Sequence, residues 1–143
     1  MTQSMLKLRA KDAEDMQVIS AVFQDSIVPL CDMVYRPDSS SFVLVAQRLR
    51  REEKNDIPER ICCAFTVNGV KAAHTHGIDV NDCDKMLDLL AILLEPSDGQ
   101  KSQQMILIFA GEAKIRLDVE NWSALVEDFG DTWPASCNPC HKL

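Results

Sequence analysis

Glycine is scarce in this sequence, with five among 143 residues, and no glycine-rich loop is present. The G-x-S-x-G turn of many hydrolases and the G-x-x-x-x-G-K loop of nucleotide-binding proteins are both missing. These motifs need glycine because the backbone must turn sharply or approach a phosphate closely. Their absence removes the clearest grounds for nucleophilic or phosphate chemistry and favours a protein that is not an enzyme.

Long apolar runs are also missing. The longest, Leu89–Leu94, is far shorter than the roughly 18 residues that a membrane-spanning helix needs. Residues 1–15 lack the apolar segment and small-residue cleavage site of a secretory signal. We therefore expect a cytoplasmic protein that does not enter a membrane.

Positive charge is in deficit, with 15 Lys and Arg against 22 Asp and Glu, which gives a formal net charge of -7. Such a chain repels phosphate backbones and anionic membranes, so neither nucleic acid nor membrane is expected as a partner. The basic cluster in residues 47–54 (QRLRREEK) is interrupted by glutamates. Clusters of mixed sign are usually solvated, and we predict an exposed strand end there rather than a phosphate-binding patch.

The hydrophobic period changes near the start of the chain. Residues 5–10 alternate apolar and charged side chains, as a short half-buried strand does. Beyond them the apolar residues recur at helical spacing, at Met16, Ile19, Phe23 and Ile27. We predict an N-terminal helix over Lys11–Gln24, capped by Asp12, and Pro29 stops any continuation.

Three β-hairpins are predicted from β-rich segments that flank turn residues. The paired segments are residues 32–35 with 42–49, 60–67 with 70–78, and 103–109 with 113–120. The connections are RPDSS, Asn68–Gly69 and AGE. Asn-Gly is the dipeptide that most readily adopts both positive φ angles of a type I′ turn, so the second hairpin is the strongest local prediction.

Two segments need a choice between strand and helix. Residues 84–96 (DKMLDLLAILLEP) fit either, because a short apolar run cannot be assigned by period alone. We favour a strand, since the polar residues that follow lead into another β-rich segment. Residues 121–130 predict a short closing helix, with Asn121 or Ser123 as N-cap and Gly130 at its C-terminal end.

These elements predict an α+β domain built mainly of antiparallel hairpins, with about seven strands and an N-terminal helix. A sheet of that size forms a sandwich or a small helix-capped barrel, as in pleckstrin-homology-like domains, because closure removes exposed edges. We expect one domain over residues 1–134 and a tail over residues 135–143.

Several segments together resemble a known family. They are LKLRAKDAEDMQVISAVFQDSIVPLCDM from Leu6, then FVLVAQR, GID, LLAI, IRLDVE and VEDFGDTWP, which ends at Pro134. This set is similar to domain of unknown function 2948, a bacterial family found mainly in alphaproteobacteria. The resemblance implies an intact single domain of bacterial origin, and it implies no activity, cofactor or catalytic residue.

The pattern CNPCH, formed by Cys137, Cys140 and His141, matches the attachment motif of c-type haem. Haem attachment normally follows export, for which no signal is seen. Zinc would need a fourth ligand beyond these three side chains. A redox Cys-x-x-Cys would need a helix start at its thiol, and no strong helix follows. We favour an unstructured tail and expect no cofactor.

His74 and His76 are the candidate metal ligands. They are separated by one residue on a predicted strand, so both project to one face, and Asp79 and Asp82 follow closely. We favour a solvated polar face as the explanation of the pair, and likewise of the carboxylates of Asp118 and Glu120.

The six cysteines predict no disulfides in a reducing compartment. Cys62 and Cys63 are adjacent and point to opposite faces of their strand, so at least one should be buried as a small apolar side chain. We expect all six as free thiols in the cell.

The favoured function is a non-catalytic module that binds an unknown protein or peptide, or a second copy of itself, through a sheet edge or an apolar groove. Trp133 is the candidate anchor, whereas Trp122 is expected in the core. The alternative is a metal-binding protein or metal-dependent enzyme that uses His74 and His76.

Overall fold

The computed structural model describes residues 5–50, 58–96 and 102–135. Within them the chain forms one α-helix, α1 (Ala13–Phe23), and a 3₁₀ turn at Leu30–Asp32. The strands are β1 (Lys7–Ala10), β2 (Ser26–Pro29), β3 (Met33–Arg36), β4 (Ser41–Leu49), β5 (Glu59–His76), β6 (Met86–Pro96), β7 (Ser102–Phe109) and β8 (Ala113–Pro134).

The strands close into a barrel. Its hydrogen-bonded order is β8-β5-β4-β2-β6-β7, and β7 pairs with β8 to complete the ring. All of the pairings are antiparallel, while β1 adds to β8 and β3 adds to β4 outside the ring. Closure leaves few unpaired strand edges. The predicted α+β class with antiparallel hairpins is confirmed, and the predicted strand count is close to the one observed.

The helix prediction is confirmed. Asp12 is the N-cap, and its Oδ1 accepts a hydrogen bond from Asp15 N at 2.9 Å. The buried stripe of α1 packs into the barrel, where the rings of Phe23 and Phe65 meet edge to face at 5.4 Å. Ser20 Oγ accepts a hydrogen bond from Ile92 N at 2.8 Å. Because β2 pairs with β6 only over Met86–Leu89, this bond satisfies β6 beyond the end of β2.

Two of the three predicted hairpins are confirmed, and the one with the strongest local signal is wrong. Asn68–Gly69 does not turn the chain, because β5 continues through it to His76. Gly69 has φ +85° and lies at a shift in the register between β5 and β8. A left-handed glycine is needed at a β-bulge as well as in a type I′ turn, and the dipeptide cannot distinguish them.

The predicted closing helix over residues 121–130 is also wrong. This segment belongs to β8, which pairs with β5 on one side and with β1 on the other. Its buried residues Ala124, Val126 and Asp128 alternate with more exposed ones, the pattern of a strand. Gly130 has φ +77° within the strand and caps no helix. The favoured assignment of residues 84–96 is confirmed by β6.

The core fills the barrel interior. Its residues include Phe23 from α1, Phe65 from β5, and Leu107 and Leu117 from β7 and β8. Trp122 is 8% exposed, and its Nε1 donates to Gln103 Oε1 at 2.8 Å. Core packing of Trp122 is therefore confirmed.

Candidate functional site

A buried polar cluster lies inside the barrel, and we call Arg48, Cys63 and Asp128 the buried cluster. The inward residues of β4 are Phe42, Leu44, Ala46 and Arg48. Ala46 lies opposite Cys63, which lies opposite Asp128, so antiparallel pairing brings the three strands together here. The prediction of a solvated strand end is wrong for Arg48 and Arg50, which are 1% and 7% exposed, and residues 51–54 of that cluster lie outside the described residues.

Arg48 and Asp128 form a two-pronged ion pair. Arg48 Nε donates to Asp128 Oδ1 at 2.8 Å, and Nη2 donates to Oδ2 at 2.6 Å. Asp128 Oδ2 also accepts from Leu6 N at 2.9 Å, and Arg48 Nη1 donates to Leu49 O at 3.1 Å. Burying an ion pair is costly unless its remaining hydrogen-bonding groups are satisfied. The contact from Leu6 N satisfies Asp128 in this way, and the contact to Leu49 O satisfies Arg48. The pair thereby joins β4 to β8 and to the start of β1.

Cys63 is a weak candidate for chemistry. Burial raises the pKa of its thiol, and the nearby carboxylate of Asp128 raises the pKa further, while Arg48 opposes the shift. The thiolate is the form of cysteine that attacks substrates and binds metals. A thiol held neutral in this way packs as a small apolar side chain. The buried cluster therefore has the properties of a structural joint between strands.

Sequence reasoning missed this cluster although a signal was present. Arg48 continues the period-two series of buried residues along β4, and Asp128 continues the series of Ala124 and Val126 along β8. The prediction of a solvated strand end followed the charges of Arg48 and its neighbours and did not use the position of Arg48 on the inward face of the strand. Opposite charges at the ends of two apolar series would have predicted a buried pair.

An open cavity of about 560 Å³ adjoins α1 and the end of β4. Its described lining residues are Glu14, Gln17, Val18, Ala21, Val22, Arg48 and Leu49. Pockets of this size hold small ligands when a few polar groups converge in them. Four of these lining residues are apolar and three are polar or charged, and Arg48 donates hydrogen bonds to Asp128 and Leu49.

His74 and His76 lie on one face of β5, as predicted. His74 Nε2 is 3.2 Å from Asp118 Oδ2, and Asp118 Oδ1 is 3.2 Å from Arg116 Nε. His76 lies opposite Lys114. Across the part of the chain that the structure describes, no three His, Cys, Asp or Glu side chains are grouped to hold a metal ion. The structure places Asp79 and Asp82 in the turn after β5, where they line a separate cavity of about 210 Å³.

These histidines belong to a larger surface, which we call the outer face. It is the outward side of β6, β7, β8 and β5, and strand pairing arranges it as three rows of four residues. The rows are Ala91-Ile108-Lys114-His76, Leu93-Ile106-Arg116-His74 and Glu95-Gln104-Asp118-Ala72. In the first two rows apolar residues stand on β6 and β7, and basic residues and histidines stand on β8 and β5.

The apolar part of the outer face is accessible. Leu93 is 43% exposed, and Ile106 and Ile108 are partly exposed. Leu90, at the neighbouring register shift of β6, is 42% exposed. In its first two rows the outer face therefore combines an apolar half with a basic half, and its third row carries the carboxylates of Glu95 and Asp118. Apolar residues next to charged ones are typical of protein-binding surfaces.

The remaining predicted residues are placed as follows. Trp133 is in β8, opposite Arg60, and is partly exposed. Cys31, Cys63 and Cys83 are free thiols, whereas Cys62 is disulfide-bonded, so the prediction of six free thiols is wrong. The motif of Cys137, Cys140 and His141 lies outside the described residues.

Comparison with known proteins matches the chain to a family. The model of the family described as a protein of unknown function, DUF2948, matches residues 6–141. The chain belongs to this family. The DUF2948 match extends past Pro134 and includes the Cys-x-x-Cys-His motif. No curated protein and no solved structure matches the chain. Among the described residues, no helix is long and apolar enough to cross a membrane.

Proposed function

We propose that this protein is a non-catalytic module that binds another protein through the outer face. The observation that carries the proposal is that partly exposed isoleucines on β7 lie directly beside basic residues on β8. Ile106 lies opposite Arg116, and Ile108 lies opposite Lys114. The whole chain carries a net charge of -7, so Lys114 and Arg116 next to two isoleucines are a local exception that favours a partner with acidic side chains at these two positions.

The buried cluster supports a role without catalysis. A general base needs a carboxylate that is available to a substrate, and both oxygens of Asp128 already accept hydrogen bonds. A nucleophilic cysteine needs a lowered pKa, whereas the pKa of Cys63 is raised.

The sequence predicted a sheet edge or an apolar groove as the contact surface, with Trp133 as its anchor. The proposed surface is instead a sheet face, and Trp133 lies on β8 outside the three rows that define it. A homodimer is a competing assembly for the same face. The likeness to pleckstrin-homology-like barrels rests on strand number and stays a prediction.

Cytoplasmic location also stays a prediction. The disulfide at Cys62 is unusual for a strongly reducing compartment. Cell fractionation, with thiols blocked before lysis, measures both the location and the oxidation state of Cys62.

The metal-binding alternative has less support. Asp118, the carboxylate nearest His74, also pairs with Arg116, and the cation of Lys114 stands opposite His76. Elemental analysis of protein purified without a histidine tag tests it. Metal at one equivalent that is lost on changing both His74 and His76 to Ala would favour this alternative.

Cross-linking from the outer face tests the proposed function. A photoreactive amino acid at Ile106 should capture a protein in the native cell, and the same group at Val34 on β3 should not. Val34 is the control because it is also a β-branched apolar residue, is 43% exposed and lies on β3, away from the outer face. The captured protein, once purified, should bind the isolated chain and lose binding to Ile106→Glu. Equal capture from both positions, or capture from neither, would contradict the proposal.

A further inference from the structure

The boundary between β7 and β8 divides the outer face into unlike halves. On the β7 side stand Ile106 and Ile108, and directly opposite them on β8 stand Arg116 and Lys114. Side chains that face each other across neighbouring strands have Cβ atoms about 5 Å apart. The two isoleucines on β7 and the two basic residues on β8 therefore form two lines that run side by side, parallel to the strands.

The spacing of residues along these two strands fits an α-helix. Residues on one face of a strand repeat about every 6.8 Å, which is close to the roughly 6 Å between positions i and i+4 of a helix. A helix about 10 Å wide covers about two strand spacings of 4.8 Å. A helix that lies along the β7–β8 boundary would contact the isoleucines of β7 and the basic residues of β8 at once.

We propose that the outer face binds an amphipathic helix of a partner protein, with its apolar stripe on Ile106 and Ile108. Carboxylates on one flank of that helix lie over Lys114 and Arg116. This inference rests on the proposed function and names the chemistry of the partner. Charge complementarity supports the choice, because Lys114 and Arg116 would attract acidic side chains and would repel a basic helix. Lys114 contributes more to this attraction, since Arg116 Nε also lies 3.2 Å from Asp118 Oδ1.

Other occupants fit the surface less well. The protein's own α1 is acidic at its start, but its apolar residues Met16, Ile19 and Phe23 are buried in the core, so a second copy cannot offer that stripe while folded. An anionic lipid surface is planar, so it would meet the carboxylates of Glu95 and Asp118 together with Lys114 and Arg116, whereas carboxylates at two positions of a helix would meet only the two basic residues.

Titration with designed peptides tests the inference. The probe is a helix-forming peptide with a leucine stripe and glutamates on one flank, and a second peptide carries lysines in place of the glutamates. Amide NMR of the full chain should show saturable shifts in β7 and β8 with the acidic peptide and none with the basic one. Raising the salt concentration should weaken the binding, because Lys114 and Arg116 are accessible to solvent and salt screens their charges.

Variants with matched controls locate the site. Lys114→Glu should weaken binding of the acidic peptide by about tenfold, because it replaces a surface attraction with a repulsion. Arg36→Glu on β3 makes the same charge change away from the outer face and should leave the affinity unchanged. Ile106→Glu should abolish binding, whereas Val34→Glu should retain it. Dispersed NMR spectra confirm that each variant folds.

Four results would overturn the inference. They are equal affinity for the acidic and basic peptides, no binding of the acidic peptide below about 1 mM, association with anionic phosphatidylglycerol vesicles through these residues, and a concentration-dependent dimer that Ile106→Glu dissolves. If the cellular partner is still captured through Ile106, the proposed function survives the loss of this inference. If that capture fails as well, both are refuted.

Discussion

At the scale of single residues, the decisive feature is the charged pair inside the barrel. The side chains of Arg48 and Asp128 are 1% and 0% exposed. Removing one member leaves the other charge buried without its partner, which costs far more than losing a pair at the surface. The pair thus acts on stability and on the choice of strand partners.

We predict that Asp128→Asn lowers the free energy of unfolding by about 3 kcal/mol. Urea denaturation followed by circular dichroism measures the change. Glu127→Gln is the control, because Glu127 pairs with Lys7 at the surface, and its effect should stay below about 1 kcal/mol. Similar losses in the two variants would contradict a special role for the buried pair.

Cys63 predicts how stability depends on alkaline pH. The pKa of its thiol is raised from an ordinary value of 9.0, so above that pH the unfolded chain releases a proton that the folded chain retains. The stability that this thiol contributes is therefore fully present below pH 9.0 and is lost as pH rises, by up to about 1.4 kcal/mol per pH unit.

The measurement is urea denaturation between pH 8 and pH 10.5 for the native chain and for Cys63→Ala. The native chain should lose stability more steeply, since the variant lacks this proton. Alkylation followed by peptide mapping gives an independent check, because exposed Cys31 and Cys83 should react before buried Cys63. Parallel stability curves together with early labelling of Cys63 would refute the assignment.

At the scale of elements, β5 and β8 are long strands that bend where their register shifts. Gly69 lies at this bend, and Ser40 O accepts hydrogen bonds from Gly69 N at 3.0 Å and Val70 N at 2.9 Å. Asn121 on β8 has φ +49° at the same level of the barrel. The bend lets β8 pair with β1 in one part and with β7 in the other.

Gly69→Ala should destabilise the bend strongly. A Cβ there would lie 2.5 Å from Glu120 O, and φ is +85°. Gly130→Ala is the matched control, because Gly130 has φ +77° and open space around it. We expect a loss of about 1 kcal/mol for Gly130→Ala from the backbone conformation alone and at least about 2 kcal/mol for Gly69→Ala. Thermal unfolding measures both, and equal losses would contradict the close packing.

At the scale of the whole molecule, one ring of strands encloses one core. Phe65 contacts Phe23 of α1 in that core, and Trp122 lies at the bend of β8. Since helix and strands share buried residues, the barrel should unfold as a unit.

Phe65→Ala should lower stability by about 3 to 5 kcal/mol through a cavity in the core. Tryptophan fluorescence and far-ultraviolet circular dichroism should move together to the same lower urea midpoint. Val34→Ala, at an exposed position, should cost less than about 1 kcal/mol. Separate midpoints for the two signals would contradict a single cooperative barrel.

The sequence by itself determined the elements whose signals are local. Asp12 and the apolar stripe of α1 defined the helix, and two turn segments defined two hairpins, because capping, period and turn chemistry act within a few residues. The same local signals failed at Gly69 and in residues 121–130, where a bulge and a strand share residue types with a turn and a helix end.

Only the tertiary structure decided which strands pair, and pairing created both the buried cluster and the outer face. Arg48 and Asp128 are 80 residues apart in the chain and meet because β4 and β8 both flank β5. The rows of the outer face likewise combine β6, β7, β8 and β5. Pairing depends on contacts between distant segments, and no local pattern encodes them.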